Sequence, residues 1–361
     1  MSWWFLAPAA AATVTVFTVP VAVWVARRIG AIDEPGERKI HSRPTPRLGG
    51  LAIYLGFLAG FLVMGLVQGL SARYLGLLVG GTLIFLVGAV DDARGLHPWL
   101  KLAGQVLAAL SVLPFGVGIA FITHPLHKGL LLHLGFWGVP LTIFWIVAVT
   151  NAVNLIDGLD GLAAGIGAIG ALTLASVAAL AGDKIAVLPA LILAMALGSF
   201  LPFNFHPARL FLGDCGAMLT GFLLACGAVI GVAKTATAVT LITPAVILGI
   251  PLCDTLFAIL RRYKNGRHIF RPDREHLHHR LLAIGLSHRG AVLVIYTVSA
   301  FLGLSAILLT RLTVVEAAVL IFAVAAVFIV VATRCGIVGY RWRTRQFPAL
   351  NEKTGERSVG F

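Results

Sequence analysis

Residues 139–181 read VPLTIFWIVAVTNAVNLIDGLDGLAAGIGAIGALTLASVAALA. Two apolar runs, each near the roughly 20 residues that cross a bilayer, flank Asn151, Asn154, Asp157 and Asp160. Polar groups at the edge of lipid-spanning chain are costly and usually functional. The four recur at every third position. On an ideal helix Asn151 and Asp160 would be about 900° apart and so on opposite sides. One straight helix cannot aim them at one point, and Gly158 and Gly161 let the backbone turn. The spacing predicts a helix ending near Asp157, with Asp160 in a loop or at a new helix start.

The same pattern of apolar runs recurs along the whole chain. Of its 361 residues 59% are hydrophobic and 12% charged, about half the charge of a soluble domain. An all-α polytopic membrane protein follows, with about eleven transmembrane helices at roughly 4–26, 49–68, 74–90, 100–121, 136–153, 163–181, 185–202, 215–233, 238–260, 291–310 and 313–333, each boundary good to a few residues. The first run lacks a basic region ahead of it, since the first basic residue is Arg27, so it reads as a retained helix and not a signal peptide. Residues 1–334 form one membrane-embedded domain, and 335–361 a basic cytoplasmic tail. The four cysteines are scattered and suggest neither a disulfide framework nor a zinc knuckle.

Charge sets the orientation. All 28 Lys and Arg except Arg73, Lys128, Lys184, Lys234 and Arg311 fall on one side. By the positive-inside rule that side is cytoplasmic, with the N-terminus outside and the C-terminus inside. Of the 15 acids only Asp183 and Glu316 fall on the other side. Polar chemistry therefore gathers in cytoplasmic loops 27–48, 91–99, 154–162, 203–214 and 261–290. A secondary transporter would instead place acids at mid-depth and show repeat halves; Asp254 is the one candidate buried acid, near a cytoplasmic helix end. The net charge of +13 suits an anionic membrane surface, and no nucleic-acid module is present.

Each loop carries a distinct chemistry. RPTPRLGG (43–50) offers basic groups and bare backbone amides to phosphate. Asp91 and Asp92 are adjacent carboxylates that suit a shared cation, a general base or a helix cap. Carbonyl and carboxylate oxygens at 151–160 are what Mg²⁺ accepts beside substrate phosphates. In FNFHPARLFLGDCGA (203–217), aromatics offer a planar base a stacking surface, and Asp214 is either a helix N-cap or a metal ligand. His276, His278 and His279 lie among arginines that would repel a bare cation, so this loop suits a diphosphate better than zinc.

Together RPTPRLGG, VDD, NAVNLIDGLDGLAAG, FNFHPARLFLGDCGA and RPDREHLHHRL resemble, in order, the motifs of the polyprenyl-phosphate N-acetylhexosamine-1-phosphate transferases. The HLHH form is similar to the WecA/TagO branch and not to the muramoyl-pentapeptide branch. The resemblance implies transfer of N-acetylhexosamine-1-phosphate, with N-acetylglucosamine expected, from a UDP-sugar to undecaprenyl phosphate. UMP would be released at the cytoplasmic face of a bacterial inner membrane, in the first membrane step of an envelope polysaccharide such as teichoic acid or lipopolysaccharide. It implies Mg²⁺, with Mn²⁺ as a substitute, held by Asn154 and Asp214. Asp91 or Asp92 would deprotonate or position the lipid phosphate. Asp157, Asp160, Asn204 and Phe211 would bind the nucleotide. Lys101, Arg267, His276, His278 and His279 would bind phosphate and sugar. A homodimer is compatible with such a bundle. One rival signature, that of the CDP-alcohol phosphotransferases, begins D-x-x-D-G-x-x-A-R; Asp157 to Ala164 satisfies its first part, but Gly165 stands where arginine is required.

Overall fold

A computed structural model describes residues 2–35, 44–123, 131–232, 242–264, 266 and 276–334. The helices are α1 (Leu6–Ile29), α2 (Gly49–Gln68), α3 (Ala72–Arg94), α4 (Pro98–Val112), α5 (Gly138–Ile156), α6 (Leu162–Leu180), α7 (Lys184–Asn204), α8 (Gly213–Val232), α9 (Ile242–Ile247), α10 (Gly249–Lys264), α11 (Leu277–Ala283), α12 (His288–Leu309) and α13 (Val314–Arg334). Two short antiparallel pairs supplement them: Ile32–Asp33 with Thr45–Pro46, and Phe121–Thr123 with Leu131–His133.

Nine of these helices, among the described residues, are long and apolar enough to span a membrane, against about eleven expected. One difference lies between α8 and α12. The expected span 238–260 is broken at Leu248 into α9 and α10. Pro251 has no N–H to give the Ile247 carbonyl, so the ladder cannot run through. The tail end of α10 is also polar, carrying Arg261, Arg262 and Lys264. The expected span 313–333 is present as a helix, α13, apolar between Glu316 in its first turn and Arg334 at its end. The expected helix boundary at Asp157 is observed: α5 stops at Ile156 and α6 starts at Leu162.

The bundle is organised around α8, which packs against α2, α3, α5, α6 and α7. Lipid tails are as apolar as leucine, so burial alone does not drive helices together in a bilayer; close backbone approach and dispersion do. The sequence supplies this with small residues. A side chain on Gly88 of α3 would strike the backbone of Asp214 and Cys215, and one on Gly50 of α2 would strike the backbone of Gly216. The start of α8 is thereby pressed against two other helices.

Polar links fix the remaining geometry. Asn151 of α5 and Gln105 of α4 exchange amide hydrogen bonds, at 2.6 and 3.1 Å. Such a pair is worth about 0.6–2 kcal/mol inside a membrane. Asn151 also donates to the Val147 carbonyl, so this asparagine, expected beside a ligand, serves to tie α5 to α4. Trp145 Nε1 donates to the Ala225 carbonyl and ties α5 to α8. The ends of α3, α5 and α7 and the starts of α4, α6, α8 and α12 consequently meet at one end of the bundle.

Candidate active site

At that end lies a pocket of about 350 Å³. Its lining includes Asp92, Asn154, Asp157, Asp160 and Asp214, with Arg47, Asn204, His206, Phe211, His279 and His288. Of the thirteen site residues expected from sequence, eight therefore line one pocket: Asp92, Asn154, Asp157, Asp160, Asn204, Phe211, Asp214 and His279.

Asp92 and Asp214 are joined through backbone. The Asp92 carboxylate accepts the N–H groups of Asp214 and Cys215, both at 2.9 Å. It thus caps α8 from a different helix and matches the positive end of the helix dipole. Gly213 turns the chain into α8 at φ 75°, and a side chain there would strike Asp92 and the Arg47 carbonyl. With 1% exposure and both oxygens occupied, Asp92 is placed to hold the Asp214 backbone.

Asp91 faces the other way. It accepts the Leu96 N–H at 2.6 Å and meets Lys101 Nζ at 2.7 Å. The same ammonium is 2.5 Å from Asp214 Oδ1. One cation therefore bridges Asp91 and Asp214, standing behind the pocket lining. The two aspartates of the pair have different surroundings, one a helix cap and the other an ion pair.

The 157–161 turn brings two more carboxyls. Asp157 is half-buried in the pocket lining it shares with Asp214, Asp92 and Asp160. Burial first, and then those carboxylates in that order, hold its carboxyl well above the ordinary range. Asp160 Oδ2 is 2.8 Å from His206 Nδ1 and accepts the Ala208 N–H at 3.1 Å. Asn204 staples this turn to the next loop, accepting the Gly161 N–H and donating to the Leu210 carbonyl. Its amide is thus engaged on both sides at 2% exposure. The Tyr296 hydroxyl of α12 donates to the Gly161 carbonyl. Its ring fills the space in which any side chain at position 165 would fall. The arginine of the rival CDP-alcohol signature could not be housed there.

The first loop folds over this floor. Gly49 N and Gly50 N donate to the Phe211 and Leu212 carbonyls, and Phe211 N donates to that of Pro46. Arg47 donates through Nε and Nη2 to the Asp92 carbonyl, at 3.2 and 2.9 Å. Its remaining N–H groups belong to a side chain that lines the pocket.

The three expected histidines sit ring against ring, with centroids 5.9 Å apart for His276 and His278 and 4.2 Å for His278 and His279, but they meet different partners. His276 Nδ1 is 2.7 Å from Asp254 Oδ2, and the Leu277 N–H donates to Asp254 Oδ1 at 2.8 Å. Asp254, the buried acid of the sequence, thus anchors the start of α11. His278 is buried against Gly158 with neither ring nitrogen hydrogen-bonded; burial, then the neighbouring His279, pushes its pKa down to about 3. Only His279 reaches the pocket lining. Arg267 lies outside the described residues. Arg47, Asp33, His206 and His288 line the pocket but carry no individual role in the sequence reading. The basic groups of RPTPRLGG, read from sequence as suited to phosphate, are the signal that pointed toward Arg47.

A multi-pass helical bundle with carboxylates, an asparagine and basic groups converging on a pocket at one end defines a membrane-embedded enzyme acting on an anionic, phosphorylated substrate. Residues 74–232 match the model of glycosyl transferase family 4. The chain is 40% identical to a probable undecaprenyl-phosphate N-acetylglucosaminyl 1-phosphate transferase of Bacillus subtilis, over 92% of this chain and 91% of that one. It is 37% identical to a decaprenyl-phosphate N-acetylglucosaminephosphotransferase of Mycobacterium leprae, over 79% and 78%. It is 26% identical to an undecaprenyl-phosphate alpha-N-acetylglucosaminyl 1-phosphate transferase of Escherichia coli, over 77% and 76%. The chain belongs to the polyprenyl-phosphate N-acetylglucosamine-1-phosphate transferase family.

Proposed function

We propose that the protein transfers N-acetylglucosamine-1-phosphate from UDP-N-acetylglucosamine to undecaprenyl phosphate, at the cytoplasmic face of a bacterial inner membrane. The lipid phosphate oxygen bonds to the β-phosphorus, the bond to the bridging oxygen breaks, and UMP leaves. One phosphoanhydride replaces another, so the reaction is readily reversible. Such transfer asks the protein for positioning and charge compensation more than covalent work.

The observation that carries this reading is the single pocket that gathers Asp92, Asn154, Asp157, Asp160 and Asp214 with Arg47 and His279. The donor set fits Mg²⁺: hard oxygens from carboxylates and an amide, and an Asp157 carboxyl whose charge the surrounding acids oppose. Asn154 and Asp214, with Asp157 beside them, would hold the ion. When bound, it neutralises charge on phosphate oxygens. Arg47 orients a phosphate through its free N–H groups. Phe211 supplies a face for the base, and Asp160, with Oδ2 occupied by His206 and Ala208, keeps Oδ1 for a donor on it. Asp92 holds Asp214 in register, and Lys101 compensates Asp91 and Asp214. A transport function finds no support in the acids of the pocket, which gather at one end of the bundle; Asp254 is engaged by His276 and α11.

The test is UMP release by purified protein with undecaprenyl phosphate, Mg²⁺ and a panel of UDP-hexosamines. UMP should form only with lipid and with UDP-N-acetylglucosamine, and should be lost with EDTA and in Asp214→Ala. No UMP from folded protein with any UDP-hexosamine would refute the proposal.

A further inference from the structure

We propose that Asp160, His206 and His288 form a second cation site, selective for a borderline transition ion such as Zn²⁺ or Co²⁺ over Mg²⁺. The three residues come from three places: the turn before α6, the loop after α7 and the first residue of α12. One ligand atom of each lies within 4.8 Å of the others. Two imidazoles with one carboxylate are donors that favour Zn²⁺, Co²⁺, Ni²⁺ and Cu²⁺, whereas Mg²⁺ prefers oxygen alone. This set differs from the oxygen donors around Asp214.

The ligand atoms are gathered, and one imidazole must turn before both rings aim a nitrogen at a common ion. The His206 and His288 rings stack with centroids 4.0 Å apart and 17° between planes. Neither ring nitrogen of His288 has a hydrogen-bond partner. Metal–ligand bonds of about 2.0–2.2 Å place neighbouring ligand atoms roughly 3.3 Å apart, so a contraction of up to about 1.5 Å closes the site. The frame that carries the ligands is braced. The Ala208 N–H holds Asp160 Oδ2, and Arg289 Nε donates to the His206 carbonyl at 3.0 Å. Tyr296 and Asn204 hold Gly161 from either side. Outer contacts of this kind orient metal ligands. The ion replaces the hydrogen bond between His206 and Asp160, and the His206 proton moves to Nε2.

All three side chains line the same pocket as Asn154 and Asp214. An ion held there takes Asp160 away from substrate, so the site is inhibitory; that consequence rests on the transferase reading, and the site itself does not. The binding test therefore uses untagged, EDTA-stripped protein in detergent with no substrate present. Co²⁺ is followed by visible absorption and Zn²⁺ by calorimetry. One ion should bind, survive excess Mg²⁺, and lose more than the roughly 10- to 100-fold that outer contacts cost in His288→Gln. His288 makes no hydrogen bond through its ring, so this variant should fold even where His206→Gln does not. Displacement of Co²⁺ by equimolar Mg²⁺, or unchanged affinity in His288→Gln, would overturn the proposal. So would loss in His279→Gln with retention in His288→Gln. In the kinetic arm, Zn²⁺ should raise the KM for UDP-sugar in the parent and not in His288→Gln. A protein that binds Co²⁺ at these residues yet releases no UMP would refute the transferase reading alone.

Discussion

Replacing Lys101 by glutamine should tighten binding of a divalent ion in the absence of any nucleotide. The Lys101 ammonium lies 2.7 Å from Asp91 and 2.5 Å from Asp214 with 18% of the side chain exposed. An ion that takes Asp214 must break at least the second contact. A hydrogen bond to a charged partner is worth about 1.5–3 kcal/mol, and each 1.4 kcal/mol is tenfold. Removing the competitor should therefore tighten Mn²⁺ about ten- to hundredfold, read by calorimetry on substrate-free protein. Without ion, Lys101→Gln leaves two acids uncompensated, so its unfolding midpoint should fall and recover on adding Mn²⁺. Arg289→Gln removes the same charge from an exposed position that donates to the His206 carbonyl and not to Asp91 or Asp214 and is the control. Equal affinity in folded Lys101→Gln and the parent would refute the reasoning, as would equal tightening in Arg289→Gln. The same geometry implies that nucleotide and metal bind cooperatively, because a substrate phosphate offers Lys101 a new partner when the ion takes Asp214.

Asp92→Asn should destabilise the protein by about 1–3 kcal/mol, since an amide cannot accept from both Asp214 and Cys215; an unchanged thermal midpoint would show that the cap is not structural. Gly165→Ala should cost a similar about 1–3 kcal/mol by overpacking against Tyr296, with Tyr296→Ala restoring part of the folded yield; a Gly165→Ala variant as stable as the parent would refute the contact. His278 gives a pH signature. Its folded pKa of about 3 lies below the roughly 6.5 of a free imidazole, so the unfolded chain binds the proton first. Its contribution is full above about pH 6.5 and is lost as pH falls toward 3, by at most about 1.4 kcal/mol per unit. Unfolding midpoints of the parent minus those of His278→Gln should decline over that window, and a flat difference would sink the argument.

What the sequence showed followed from period and composition. Apolar runs gave the helices, and the glycines at 158 and 161 marked the break between α5 and α6 because only there does the polar spacing conflict with a straight helix. Membership of one pocket was legible for Asp92, Asn154, Asp157, Asp160 and Asp214 because each lies at a helix end on the basic side of the chain. Partner choice was not. Asp92 meets Asp214 across 122 residues and Asn151 meets Gln105 across 46, and no local spacing encodes which side chains face each other. The same holds for the histidines. HLHH stays one cluster of rings, yet each ring meets a different partner, His276 at Asp254, His278 at Gly158 and His279 at the pocket. His206 and His288 stood alone in sequence and gained meaning only through their stacking.

The position of α8 has a consequence for how the enzyme meets different membranes. Most of α8 is enclosed by protein, 83% of its apolar window being buried, whereas α1 and α4 bury 28%. Changes in hydrocarbon thickness act on lipid-facing helices, which tilt to compensate. Those helices lie outside α8, which carries Asp214 in its first turn, and Asp92 together with Gly50 and Gly88 clamps that turn. The centre of the molecule is thereby insulated from its solvent. Activity in thin and thick bilayers should differ through access of the lipid substrate, while metal affinity at Asp214 stays the same.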